Sequence, residues 1–423
     1  MINEKHFIRA LETAMGAAGK DISAVSELIG QPARMYSYPN VVAGYSFFAA
    51  DVIFREDGAV VLQETNGSNG ASTGMLPDGQ TCRARHMATA AVAKGLVSPC
   101  VAVLAHADRT GLIPEFHARQ ALFASELEGA GVGSVKDRYV GEQLGNEDVA
   151  VVIGPISRVL CYLEEKEGAL LYMGRKVAFA TNANMLPALQ RAGKIQRSGT
   201  GFSVDASIFH EGRRGVEVAL DKGLQQRCAV GTGLTPLRYS ECAGWNSVPT
   251  EIRRWHGQGL TPVAKISSGS QGVGIAFFPW RGSVDVEAEV QEMRAHALKS
   301  YGTEADQTAL PVRLFEFAAS TRYRLEDGPH LWDVRIECHV SPGSTTLIPA
   351  SMRICPAPFD AERFERDAVL SNLSGRGSGF EFVRTPLAQH RSGVTELEWA
   401  GVSEGKLAGA MQALAGWCEK AVG

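Results

Sequence analysis

The sequence predicts an α/β (α+β) protein, and three observations carry that expectation. Strand-like apolar runs alternate with helical patterns between residues 98 and 215, the signature of a largely parallel sheet. Residues 262–278 read as strand, glycine-rich loop, strand. Two long helical patterns, Val284–Lys299 and Glu404–Ala421, accompany the later strands, the second with Leu407, Met411, Leu414 and Ala415 at helical spacing.

Taken in order, Phe7, Ala10, Leu11 and Ala14 predict a first helix. Phe47–Phe54 and Ala59–Gln63 predict a hairpin turning at Glu56-Asp57-Gly58, followed by a Gly/Ser/Asn loop from Asn66 to Gly74. Cys100–His106, Asp148–Ile153 and Lys176–Ala180 read as strands, with a helix over Phe116–Gly129. Pro262–Ile266 and Ile275–Phe278 flank the glycine loop, and Val312–Phe317, Trp332–Val340 and Thr346–Ile354 read as further sheet strands.

The 423 residues fit two or three domains at ~100–200 residues each, and 45% hydrophobic with 21% charged residues is an ordinary globular balance. A net charge of −4 gives no electrostatic case for nucleic acid or an anionic membrane. The eight cysteines form no C-x-x-C pair, and reduced thiols in a cytoplasmic protein are expected. The N-terminus carries no signal-like apolar segment, and no apolar run approaches the ~18–20 residues of a membrane span.

Three groups of residues suggest chemistry. In Ser267-Ser268-Gly269-Ser270-Gln271-Gly272-Val273-Gly274 the glycines let backbone N–H groups approach anionic oxygens. The loop lacks the G-K-[ST] of a Walker A loop, and a strand follows where a Rossmann fingerprint needs a helix. Alone it reads equally well as a hairpin tip. Lys265, on the strand before it, can carry an ammonium to a phosphate under the loop or be an ordinary surface lysine. Second, Glu64 and Asn66 share a strand face, and the hairpin can bring Asp51 opposite them. Two carboxylates and an amide oxygen suit Mg²⁺; the alternative is a solvated strand face. Third, Asp333 and Arg335 on one strand, Arg353 on a later one and Asn372 form a set in which arginines can hold phosphoryl or carboxylate oxygens, although each singly is more often a structural ion pair.

Together these groups resemble the ATP-grasp superfamily. Asp221-Lys222 resembles the start of its lid, and Gly233-Leu234-Thr235-Pro236 the strand that follows. Lys265 and the loop Ser268, Gly269, Ser270, Gln271 and Gly272 match the phosphate clamp, and Leu314-Phe315-Glu316-Phe317 the hinge that meets adenine or ribose. Asp333, Arg335, Arg353 and Asn372 match what comes next. The family's closing Asp strand and Glu-x-Asn strand are missing after residue 372, but Asp51, Glu64 and Asn66 repeat that pattern near the N-terminus. The economical reading is a circular permutation, which requires the termini to lie close together. One departure stands out: the family often has an arginine just before the Asp, where this chain has Phe48-Ala49-Ala50.

The resemblance implies a permuted ATP-grasp fold with a small Rossmann-like domain ahead of it. It places the permuted metal-hairpin piece at 1–97, the small α/β domain at 98–215, the lid at 216–310 and the main sheet at 311–423. It implies a carboxylate–amine ligase of the kind that forms peptides and amides in specialised metabolism. ATP and one or two Mg²⁺ are the cofactors, with Asp51, Glu64 and Asn66 on the metal, Lys222, Lys265, the loop, Glu316, Phe317, Asp333 and Asn372 on the nucleotide, and Arg335, Arg353 and Lys265 catalytic. Small-molecule carboxylates and amines, amino acids or peptides among them, are the expected partners, with no nucleic acid or membrane and with room for a homodimer. The competing readings are a kinase on the same fold and a Rossmann-type binding protein or NAD oxidoreductase built on residues 98–200, where His106 lies near a strand end and His117 on a helix.

Overall fold

The computed structural model describes residues 33–67, 77–97, 100–104, 122–132, 135–145, 148–153, 159–181, 183–198, 201–266, 274–280, 284–301, 312–361, 365–369 and 382–423. The expected first helix, the loop Ser268 to Gly272, Asn372, His106, His117 and most of the Asn66–Gly74 loop lie outside them.

The strand Trp332–Ser341 shows how the main sheet is built. Its sequence alternates strictly: Trp332, Val334, Ile336, Cys338 and Val340 point one way, Asp333, Arg335, Glu337 and His339 the other. The apolar side packs with Phe48, Ala50, Val52 and Phe54 onto the helix Glu404–Val422 through Leu407, Met411, Leu414 and Trp417. Ser403 caps that helix, its side chain accepting from the Lys406 N–H. The polar side is buried too, so it is a second interior rather than a solvent face.

The sheet runs Tyr36–Pro39, Ser344–Ile354, Trp332–Ser341, Ser46–Phe54, Val60–Asn66, all antiparallel, with Val383–Arg384 beside Ser344–Ile354. The first strands of the chain therefore pair with the last third. Val41 donates its backbone N–H to Glu419 Oε1 at 3.1 Å, which sets the early chain against the C-terminal helix. Pro349 lacks a ladder N–H and sits where the register shifts between Arg335 and Ile336. The hairpin turns at Gly58, whose φ of +92° is the reason for glycine there.

A second sheet orders Tyr239–Glu241, Val312–Glu316, Pro262–Ile266 and Ile275–Phe277 under the helices Val248–His256 and Val286–Tyr301. Val312–Glu316 thus pairs here and not in the main sheet, and its Val312 and Leu314 complete the core with Ala264, Ile266 and Val290. Gly233–Pro236 is likewise not a strand but one parallel bridge, Thr235 with Val61. Lys222 opens the helix Lys222–Ala229, capped by the Asp221 carboxylate.

Between these, Cys100–Leu104 pairs in parallel with Val135–Tyr139 and Asp148–Ile153. Of the expected strand Lys176–Ala180, only Lys176 lies in a strand, Arg175–Lys176, and Val177 and Ala180 make isolated parallel bridges. The three-stranded antiparallel sheet Leu163–Lys166, Ala169–Tyr172, Arg175–Lys176 is an addition to the expected parallel pattern. Among the described residues no helix is long and apolar enough to cross a membrane.

Candidate active site

The polar face of the main sheet carries the site. Asp51 stands between Glu64 on one neighbouring strand and Arg335 on the other. A register shift between Asp51 and Val52 produces this pairing: Val52 faces Leu62, so Gln63 is bulged out and Glu64 moves opposite Asp51.

Asp51 receives a fork from Arg335, Nε to Oδ1 at 2.7 Å and Nη2 to Oδ2 at 2.8 Å. Arg353 Nη2 reaches Oδ2 of the same carboxylate at 2.9 Å. Arg353 also forks Asp333 at 2.7 Å through both Nε and Nη2. Glu64 accepts from Lys222 Nζ at 3.1 Å and has Lys265 Nζ at 3.9 Å. Asn66 Nδ2 donates to Asp51 Oδ2 at 3.2 Å and lies 3.5 Å from Glu64 Oε1, so the three expected metal ligands share one spot.

Burial opposes the Glu64 charge, yet Lys222 and Lys265 hold its carboxyl well below the usual carboxylate range. Burial pushes Lys265 down to about 8 against the pull of Glu64. It also works against the Arg353 charge, but Asp333 and Asp51 outweigh it and its pKa is raised. The cluster holds one more cation than carboxylate, counting Lys222, Lys265, Arg335 and Arg353 against Asp51, Glu64 and Asp333. Such a site is disposed toward anions.

The donor set also fits a hard cation. Two carboxylates and an amide oxygen on adjoining strands are oxygen ligands that leave the remaining positions to phosphate and water. Among the described residues no group of three or more His, Cys, Asp or Glu is placed to hold a metal ion.

Glu316 and Phe317, the residues expected at the hinge, come from the end of the second sheet's strand Val312–Glu316 and the residue after it. Glu316 pairs opposite Pro262 and has Arg55 Nη1 at 3.8 Å. The Phe317 N–H donates to Thr261 O at 2.9 Å, so that donor is already engaged. The Phe317 ring lies 6.1 Å from both Phe277 and Phe359, an aromatic patch suited to a flat heterocycle.

Sequence reasoning missed a neighbouring cluster on the same face. Glu337 and His339 continue the row beyond Arg335, and the helix Pro77–Ala93 lays Arg83 and His86 over them. His210 joins from before the helix Gly212–Leu220. The signal was present: the alternation from Trp332 to Val340 makes Glu337 and His339 equivalent to Asp333 and Arg335.

No family model matches the chain, and no curated protein matches it. Among solved structures, a protein provisionally assigned as a gamma-glutamylcysteine synthetase from Methylobacillus flagellatus KT is similar at 12% identity and a TM-score of 0.45, covering 99% of this chain and 94% of that one. A glutathione synthetase-like effector from Globodera pallida, in apo form, is similar at 14% identity and a TM-score of 0.36, covering 84% and 83%.

Proposed function

We propose that the chain is an ATP-dependent carboxylate–amine ligase with an ATP-grasp order that is circularly permuted. One observation carries the reading: Asp51 held by Arg335 and Arg353, and Glu64 held by Lys222 and Lys265, meet at Asn66 on adjoining strands. Every group there is suited either to phosphate oxygens or to the cation that accompanies them.

Asp51, Glu64 and Asn66 would hold one or two Mg²⁺, which when bound screens phosphate charge and orients the transferred group. Lys222 and Lys265 would turn from Glu64 to phosphate oxygens, and Glu64 would then be among the residues that hold the cation. Arg335 and Arg353 lie where charge accumulates on the phosphoryl group and acyl oxygen. The γ-phosphoryl group passes to a substrate carboxylate with loss of ADP. An amine then attacks the acyl carbon, the C–O bond to phosphate breaks, and an amide forms. Positioning and charge neutralisation supply the catalysis. Phe277, Phe317 and Phe359 offer the adenine a stacking surface. The substrate class proposed is an amino acid or peptide with a small amine.

Hydroxylamine trapping tests this. With Mg-ATP and a panel of amino-acid pairs, ADP release should accompany hydroxamate formation. ADP release with a phosphate ester and no hydroxamate would instead indicate a kinase. Thermal protection by NAD and not by ATP would remove the reading altogether.

A further inference from the structure

The strand Val60–Asn66 is the outer edge of the main sheet, yet Val61, Leu62 and Thr65 on it are buried. Backbone groups on a buried edge must find partners. Apart from the bridge at Thr235, no strand among the described residues pairs with its outer side. Val60 O accepts from the Thr235 N–H at 2.7 Å. Beyond that point two consecutive glutamines of the helix Lys222–Ala229 take over. Gln226 Nε2 donates to Leu62 O at 2.9 Å, and Gln226 Oε1 accepts from the Leu237 N–H at 2.7 Å. Gln225 Oε1 accepts from the Thr65 N–H at 3.0 Å. Gln225 Nε2 lies 3.3, 3.0 and 3.2 Å from the carbonyl oxygens of Thr65, Val218 and Ala219. The two glutamines are 0% and 1% exposed.

The spacing of these contacts is irregular. In a regular antiparallel strand the backbone groups that face one edge recur at every second residue. Val60 and Leu62 follow that rule, and Thr65 breaks it. The break is the bulge at Gln63, the same irregularity that moves Glu64 opposite Asp51. A further strand on this edge would offer partners at the regular spacing. Side-chain amides from a helix are free of that period, and these two grip the chain on either side of Gln63. The helix that carries them is itself fixed. The Asp221 carboxylate accepts from the Leu224 N–H and from Arg313 Nη1, both at 2.8 Å, and Trp417 Nε1 donates to Gln225 O at 2.9 Å. Lys222, in its first turn, pairs with Glu64.

We propose that Gln225 and Gln226 are positioning residues that hold the bulged register and thereby keep Glu64 and Asn66 against Asp51. Gln225 grips Thr65, the residue between those two side chains, and Gln226 grips Leu62 on the far side of the bulge. The regular register would set Gln63 opposite Asp51 and turn Glu64 to the other face of the sheet. The inference rests on the proposed ligase only for what the register serves, the cation that accompanies ATP.

Two measurements on the full chain test it. Amide hydrogen exchange reads the clamp. Gln225→Met nearly keeps the volume and removes the amide, so the Thr65 N–H should exchange roughly tenfold faster or more. The Leu237 N–H should respond in the same way to Gln226→Met. Electron paramagnetic resonance of Mn²⁺, in the presence of a non-hydrolysable ATP analogue, reads the consequence. Each variant should bind Mn²⁺ ~10–100-fold more weakly, while affinity for the metal-free analogue is unchanged. Leu397→Ala, a core truncation in the helix Glu396–Trp399, is the destabilised control and should bind Mn²⁺ like the wild type. If Gln225→Met does not fold, Gln226→Met decides alone. The proposal is overturned if the Thr65 and Leu237 amides keep their wild-type rates, if both variants bind Mn²⁺ like the wild type, or if Leu397→Ala loses as much Mn²⁺ affinity as they do. A wild-type chain that binds no Mn²⁺ with the analogue would end the ligase reading, and the exchange rates would then decide whether the glutamines hold the strand.

Discussion

Asp51 and Arg335, 284 positions apart in the chain, face each other on adjacent strands and share a two-point ion pair at 2.7 and 2.8 Å. No arginine directly precedes Asp51 in the chain, and the guanidinium beside its carboxylate comes from the neighbouring strand. A guanidinium so fixed needs no reorganisation to meet a developing oxyanion.

Arg335→Met should therefore lower kcat by ~10²–10³-fold with little change in the KM for ATP. Because Arg353 still reaches Asp51 at 2.9 Å, stability should fall by only ~1–3 kcal/mol. Steady-state kinetics and chemical denaturation measure the two. A variant with wild-type kcat would remove Arg335 from the reaction.

Glu64→Ala and Lys265→Ala should each abolish ATP turnover in a folded protein. The first would remove one of the proposed metal oxygens, costing ~100-fold or more. In the second, Lys222 still pairs with Glu64 at 3.1 Å, so folding is maintained while ATP affinity falls roughly 10–100-fold. ADP-release assays with melting curves check both, and full activity in either would withdraw that residue's assignment.

Mg²⁺ alone should scarcely stabilise the protein, because Asp51 and Glu64 are already neutralised by arginines and lysines. Under the proposed function ATP would draw those cations to its phosphates, so the two together should stabilise by ~2.7 kcal/mol at a hundredfold excess over Kd. Thermal shift with metal, nucleotide and both is the measurement. Equal shifts from metal alone would show the carboxylates to be open without nucleotide.

Acid should destabilise the fold below pH 6.5. Burial lowers His86 from 6.5 to about 3, so across that interval the unfolded chain binds the proton and the folded one does not. Stability is thus complete above pH 6.5 and is lost as pH falls, at up to ~1.4 kcal/mol per unit. Urea titrations from pH 7 to 4 should show at least this slope, and because burial depresses His210 as well, His86→Gln should reduce it without abolishing it.

A chain reordered to begin at residue 98, run through 423 and continue into residues 1–97 should fold and bind Mg-ATP. The early chain already lies along the last helix, Val41 on Glu419. Circular dichroism and ATP-induced thermal shift would decide it, and an unfolded product would remove the permutation.

The sequence by itself determined most strands of both sheets, because apolar periodicity fixes which faces can be buried, but it missed Tyr36–Pro39, Tyr239–Glu241, Val383–Arg384 and the helix Val248–His256. Strict alternation marked Trp332–Val340, and an Asp-Gly turn marked the hairpin. It also identified Asp51, Glu64, Asn66, Lys265, Arg335 and Arg353, since charged residues inside otherwise apolar strands are rare unless they meet one another. Tertiary structure alone decided how they meet. A regular hairpin would have set Asp51 against Gln63, and only the bulge that ejects Gln63 brings Glu64 across. Likewise Val312–Glu316 has the composition of any buried strand, and only pairing with Pro262–Ile266 assigns it to the smaller sheet. Arg83, His86 and His210 were invisible because they come from helix and loop positions with no period of their own. Their burial against Glu337 and His339 is a property of contacts between segments more than a hundred residues apart, which no local pattern encodes.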